Sequence, residues 1–411
     1  MRTLVRIAVF VVAGITAASA QQDREWTQWR GPNRDGVLSA AHVPAAWPGS
    51  FQRSWSVDVG EGYSSPVVSG RLAFVHSRKD PQEVITAVDV ITGAVKWQQA
   101  YAAPINKNGY AAAMGKGPNA TPLVAAGRVL TLGASGIAMA LDAASGKILW
   151  TRDYSSRIDT SKLFCGTAAS PVLAAGYVVL QVGSDVHGGL VTALDPATGA
   201  TRWEWKGDGP GYASPILVTV DKMQQLITLT NKSVVSLEAA TGRQLWSIPF
   251  PDEWHENIVT PVWTGRELVV AGVRQGTRAF RLAGNRAPAE IWKNADVTMY
   301  MSSPVAGDGV IYGLSNKRKG QFVALDAATG TLKWATEGRE GDQAAVLLAP
   351  SHVLFLTNTG TLVVAKRSAA GFQQEKRYTL SDSVETWTTP VFVGGSILLR
   401  DARSLTRLEP K

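Results

Sequence analysis

Reactive side chains are scarce in this chain. Of its five histidines, His76, His187 and His255 are expected in loops between apolar runs. Asp185 stands two residues before His187, and Glu253 and Glu256 flank His255, arrangements that could supply metal ligands. Neither gives an i, i+4 pair on a helix, and the two clusters fall in non-adjacent parts of the chain, so solvated loop histidines are the plainer expectation. Cys165 is the single cysteine, which excludes an intramolecular disulfide, an iron–sulfur cluster and a multi-cysteine zinc site. The sequence contains no C-x-x-C-H, no D-x-[DN]-x-[DN]-G calcium loop, no G-x-S-x-G elbow and no P-loop. No catalytic residue and no metal site are assigned.

Recognition is better represented than catalysis. Tyr63, Tyr212, Tyr300 and Trp387 each stand just before an apolar run that opens on proline. Lys107, Tyr110 and Lys116 occupy a longer basic stretch, and Arg152, Arg157 and Lys162 a second one. Glu337, Glu340, Asp342, Asp382, Glu385, Asp58 and Glu61 form an acidic counterpart. Tyr and Trp bring large contact area at small entropy cost, so Tyr63, Lys107, Tyr110, Lys116, Tyr212, Tyr300 and Trp387 are candidate contacts for a protein or peptide.

The elements that must position them are repeats. A unit A-x-D-x-x-[TS]-G-x-x-x-W ends at Asp89, Gly93 and Trp97, and again at Asp142, Gly146 and Trp150. It returns at Asp195, Gly199 and Trp203, with Glu238 at Gly242 and Trp246, and at Asp326, Gly330 and Trp334. Trp292 and Tyr378 mark decayed copies, and Trp55 is a tail without a head. These aromatics recur every 42 to 53 residues in a chain of 411 residues with 14 Trp and 40 Gly. A Ser or Thr followed by Pro opens each unit, at Pro66, Pro122, Pro171, Pro215, Pro261, Pro304 and Pro390, with a degenerate start at Ala349-Pro350. Proline is tolerated at the first residue of a strand, where no ladder donor is needed. Four strands per unit of this length is the arithmetic of a propeller blade. The expected fold is all-β: an eight-bladed β-propeller of four-stranded antiparallel blades spanning 51–411. The orphan strand around Trp55 would complete the tail-less last blade and close the ring.

These copies resemble the tryptophan-docking repeat of the PQQ-like β-propellers, a family that includes quinoprotein alcohol dehydrogenases and BamB-type subunits of outer-membrane assembly machinery. Trp26 to Gly36 (WTQWRGPNRDG) resembles the opening segment of bacterial secreted members. For the dehydrogenases, the resemblance implies a quinone under a vicinal disulfide, above a Trp, beside Ca²⁺, with an Asp base. One cysteine cannot supply that pair, so no resident cofactor is expected, PQQ with Ca²⁺ being the alternative. For the BamB type, the resemblance implies a non-enzymatic protein-binding scaffold of the cell envelope. The competing class is a dehydrogenase-related enzyme or a small-ligand sensor using the central channel.

The N-terminus reads as an address. Arg2 and Arg6 precede the apolar stretch Ile7–Ile15, and Ala18-Ser19-Ala20 is a small-residue cleavage site. Residues 1–20 are thus expected to be a signal peptide, with no cysteine nearby for lipid attachment, and 21–50 to be an extension packed on the outside of the propeller. A monomer in the periplasm or secreted is expected. The net charge of +8 is spread over Lys96, Lys147, Arg202, Arg243 and Lys333 near the outer turns, a rim and not a patch, so nucleic acid is not the expected partner.

Overall fold

The computed structural model describes residues 25–106, 109, 115–161, 163, 165–381 and 385–411. The signal segment and the candidates Lys107, Tyr110, Lys162 and Asp382 lie outside them. Among the described residues, 32 strands form eight antiparallel sheets of four. Blade one shows the build: Val67–Ser69, Leu72–Lys79, Gln82–Asp89 and Val95–Ala102 run from the axis outward. The second and third strands are buried along almost their whole length, because neighbouring blades cover both faces. The outer strand alternates exposed and half-buried residues, as one solvated face requires.

The expected eight-bladed propeller is what forms, and its ring closes as expected. Phe51–Asp58 pairs antiparallel with Ser404–Pro410 and becomes the outer strand of the last blade, which gives that blade its four strands and covers the edge of Ser404–Pro410. Arg400 reinforces the seam. Its buried guanidinium donates to the carbonyls of Ser64 (2.6 Å), His76 (2.8 Å) and Gly60 (3.4 Å), tying blade eight to blade one.

The repeat residues hold one blade to the next. Trp55, Trp97, Trp150, Trp203 and Trp292 each lie over the turn glycine of the following blade, and all the repeat tryptophans but Trp246 donate an indole N–H to a carbonyl there. Trp55 reaches Val90 (3.2 Å), Trp97 reaches Ala143 (3.1 Å), and Trp150 reaches Pro196 (3.1 Å). Trp203, Trp292 and Trp334 do the same to Ala239, Ala327 and Ser368. Trp246 turns instead to the Gln225 side chain, at 3.1 Å. Glycine is needed under the indole for two reasons. Gly199 has φ +68°, and a Cβ there would stand 2.7 Å from Trp150. The repeat Asp closes the same turn: Asp195 Oδ1 accepts the N–H groups of Ala197 (2.9 Å) and Thr198 (3.0 Å). Four of the five rim cations pair with these carboxylates, as Lys96–Asp89, Arg202–Asp195, Arg243–Glu238 and Lys333–Asp326.

The Ser or Thr before each strand-initial proline has a structural job at the axis. Ser65 N–H donates to Thr121 Oγ1 (3.1 Å), Thr121 to Ser170 (2.9 Å), and Ser170 to Ser214 (3.0 Å). Thr260 donates to Ser303 (3.0 Å), and across the seam Thr389 donates to Ser65 (2.9 Å). One expected start is wrong. Blade seven begins at Ala344, whose N–H bonds Ser302 Oγ at 2.9 Å, and Pro350 lies in the turn after that strand. Ala345 stands where the other blades carry Ser or Thr, and Val346 where they carry proline, so the nearest proline misplaced the start.

Candidate functional site

Antiparallel blades put the loop before each inner strand, and the loop between second and third strands, on one face, here called the mouth. Turns such as Thr92-Gly93 and Thr329-Gly330 lie on the other. An innermost strand has no neighbour on its axial side, so some of its carbonyls need partners. The N-terminal extension provides them from inside the ring. Residues 25–38 do not pack outside, as expected from sequence, but cross the channel.

Trp26 is fully buried and exchanges two backbone hydrogen bonds with Val68 of blade one, both 2.9 Å. Thr27 accepts from Val124 of blade two (2.7 Å), and Gly36 and Leu38 pair with Leu348 of blade seven. Arg34 donates to the carbonyls of Pro215 and Pro171, each at 2.8 Å, and Arg30 donates to that of Pro304. The strand-initial prolines of blades three, four and six are thereby bound from the axis. Burial lowers Arg30 to about 10 and Arg34 to about 9, so both stay charged at neutral pH. Residues 39–50 then run outward under blades seven and eight. Trp47 packs edge-on to His352 and Phe392, and Tyr378 donates to the Pro48 carbonyl (2.8 Å).

This plug leaves a cavity of about 140 Å³ at the mouth. Trp29, held by an N–H bond to Thr260 Oγ1 (3.2 Å), lines it from the plug. Tyr63, Tyr212, Trp387, Ile258 and Met301 line it from the blades. Asn119, Gln343 and the hydroxyls of Ser170, Ser214, Thr260 and Ser303 supply its polar atoms, and Cys165 stands at its wall. Tyr63 and Trp387 come from blades one and eight, with ring centroids 6.2 Å apart.

Three of the five described sequence candidates therefore meet in one cavity: Tyr63, Tyr212 and Trp387. Tyr300 stands aside and donates to Glu256 Oε2 (2.6 Å); burial and that carboxylate push its phenol far up. Lys116 pairs with Asp80 at 3.6 Å on the rim. Arg152 leaves the basic loop and donates to the Gly199 carbonyl of the next blade's turn (2.6 Å). Trp29 and Cys165 were missed. No repeat position marks them, although the dense WTQWRGPNRDG segment was a visible oddity.

The histidines also divide differently from expectation. His76 is no loop residue but a fully buried strand residue, bonded to Tyr101 Oη (3.0 Å) and 3.3 Å from Glu83. Burial alone would raise the Glu83 carboxyl; hydrogen bonds from His76, Tyr101 and the Ala134 N–H outweigh it and hold the group below its usual range. Asp185 and His255, expected apart, meet through His255 Nδ1, and Asn231 bonds the same carboxylate. Among the described residues no three His, Cys, Asp or Glu side chains are grouped to hold a metal ion.

A quinone carrying carboxylates, with Ca²⁺ beside it, calls for cations and carboxylate ligands. The described lining of the mouth cavity offers hydroxyls, amides, aromatic rings and one thiol, with neither a carboxylate nor a charged nitrogen. The residues do not fit that pair.

A family profile described as outer membrane protein assembly factor BamB matches residues 42–227, 81–336 and 230–399. The outer membrane protein assembly factor BamB of Yersinia pestis is 24% identical over 257 residues, 62% of this chain and 59% of that protein's length. The match thus spans less than two thirds of that relative. The crystal structure of BamB from Moraxella catarrhalis superposes with TM-score 0.62 at 14% identity, over 87% of this chain and 97% of that one. The quinohaemoprotein alcohol dehydrogenase of Comamonas testosteroni superposes with TM-score 0.68 at 15% identity, over 96% and 82%. Both likenesses are of fold, and a fold shared by a binding protein and an enzyme does not choose between them.

Proposed function

The chain belongs to the outer membrane protein assembly factor BamB family, and on that premise we propose that it is a protein-binding scaffold of cell-envelope assembly whose partner docks on the mouth. The observation that carries this reading is the convergence of Tyr63, Tyr212 and Trp387, from three blades, on one uncharged cavity. Aromatic anchors around a desolvated pocket are the composition of binding hot spots. Export belongs to the proposal as well. Arg2, Arg6 and the apolar stretch after them supply the address, and no described helix is long and apolar enough to cross a membrane.

The chemistry of the cavity argues for binding over turnover. Its hydroxyls from Ser170, Ser214 and Ser303 already accept backbone N–H groups of neighbouring blades, which fixes them as wall and leaves them poor nucleophiles. The test is partner capture from envelope extracts by Tyr63→Ala and Trp387→Ala variants. Each should weaken capture by more than about 1 kcal/mol if it is a hot spot. Lys147→Glu and Lys333→Glu, on the opposite face, should leave capture intact. If only the second pair impairs capture, the docking face is the wrong one.

A further inference from the structure

The mouth cavity and its rim differ in chemistry, and the difference specifies a ligand. Inside, aromatic and aliphatic walls meet neutral hydroxyls and amides. Its volume of about 140 Å³ is close to that of an engineered apolar cavity of roughly 150 Å³ that admits benzene. The space suits one ring or one branched side chain, not a folded domain. Among the described residues, the rim beside Tyr63 and Trp387 carries Asp58, Glu61, Glu385 and Asp401. Against them stand Arg403, 3.4 Å from Asp58 and 3.5 Å from Glu61, Lys116, which pairs with Asp80, and Arg400, whose buried guanidinium is bound to the Ser64 and His76 carbonyls. Glu385 also accepts from the Trp387 indole at 3.3 Å, which sets negative charge against the cavity wall. The Tyr63 phenol is raised by burial and then by Glu385.

We propose that the cavity receives a single aromatic or large aliphatic side chain from an extended segment of the partner, and that the residues flanking this anchor are Lys or Arg. The inference rests on the mouth being the docking face, and deepens it by naming the chemistry of what docks. The plug is part of the site. Trp29 lines the cavity from the plug side, where an inserted side chain would meet it. The anchor supplies contact area in a pre-formed pocket, while the acidic rim steers and selects the basic flanks.

The experiment uses the full chain and synthetic peptides, followed by titration calorimetry and by the emission of the protein's own Trp residues. Acetyl-Lys-Phe-Lys-Lys-amide should bind at least about tenfold tighter than acetyl-Lys-Ala-Lys-Lys-amide, the ratio expected when a Phe ring is taken out of water. It should also bind tighter than acetyl-Glu-Phe-Glu-Glu-amide, by a margin that shrinks as salt is added. Ala168→Phe and Ile258→Trp fill the cavity from two different walls, and a circular-dichroism melt reports which of them folds. The folded variant should lose the preference for Phe over Ala. Glu61→Lys with Glu385→Lys should lose the preference for Lys flanks and keep that for Phe.

Equal binding of the Phe and Ala peptides overturns the proposal, as does unchanged affinity in a folded cavity-filling variant. Toluene alone binding as tightly as the Phe peptide would reassign the cavity to small molecules. If partner capture depends on Tyr63 and Trp387 while the filled cavity changes nothing, the docking face stands and the anchor falls. If capture depends on neither residue, the docking face itself falls.

Discussion

Two glycines with nearly the same backbone angle isolate what the repeated tryptophan does. Gly199 has φ +68° and would place a Cβ 2.7 Å from Trp150 Cδ2 and 2.9 Å from Cε3. Gly127 has φ +72° and nothing within 4 Å of the same position. Gly127→Ala therefore pays only for a left-handed alanine, about 1–2 kcal/mol, less a few tenths for the stiffer unfolded chain. Gly199→Ala carries that same strain and must also displace an indole held at both ends, by packing and by its bond to Pro196. Overpacking of this kind adds about 1–3 kcal/mol. Before the same few tenths are taken off each, the expected total is about 2–5 kcal/mol for Gly199→Ala against about 1–2 for Gly127→Ala. Urea unfolding followed by circular dichroism gives the two shifts in midpoint under identical conditions. In a Trp150→Leu background the excess should fall away, a coupling of about 1–3 kcal/mol between the two sites. If Gly199→Ala costs no more than Gly127→Ala, or if its excess survives without the indole, the docking role of the repeat is refuted.

Arg34→Met should destabilise the ring by more than about 2 kcal/mol, since it orphans buried carbonyls of Pro171 and Pro215. Hydrogen exchange should show the inner strands of blades three and four opening first. Acid should act through the repeat turns. The Arg202 hydrogen bond and the Thr198 and Ala197 N–H groups hold Asp195 at about 2, and Asp142, Glu238 and Asp326 are lowered likewise. A depressed carboxylate stabilises the fold above its unfolded value and stops doing so as pH falls through its folded one. The urea midpoint should therefore drop between about pH 4 and pH 2, and Asp195→Asn should flatten that decline. Purified protein mixed with PQQ and Ca²⁺ should show no dye-linked oxidation of alcohols or sugars; turnover with saturable quinone binding would reverse the assignment.

What the sequence made legible follows from locality. Asp89, Gly93 and Trp97 act within one turn and on the adjacent blade, at a fixed spacing, so their periodicity exposes the fold and even the closure by Phe51–Asp58. Blade seven shows the limit: its start lacks the Ser/Thr-Pro signal, and Pro350 drew attention to a turn. The plug was illegible for another reason. Arg30 and Arg34 look like solvated charges, and only the unpaired axial carbonyls of strands 137 to 274 residues away make a buried guanidinium sensible. The meeting of Asp185 with His255 is equally non-local. Tyr63, Tyr212 and Trp387 could be found because each precedes a strand-initial proline, a position that topology turns toward the axis. Trp29, which completes their cavity, belongs to no repeat.

Site-specific photo-crosslinking in the native envelope tests the central claim most directly. A photoreactive phenylalanine would replace Tyr212 or Trp387 at the mouth, and Lys147 or Lys333 on the opposite face. The expected result is a discrete crosslinked envelope protein from the two mouth positions and none from the other two. Crosslinks confined to Lys147 and Lys333, or no crosslink from the mouth in a properly exported protein, would contradict it.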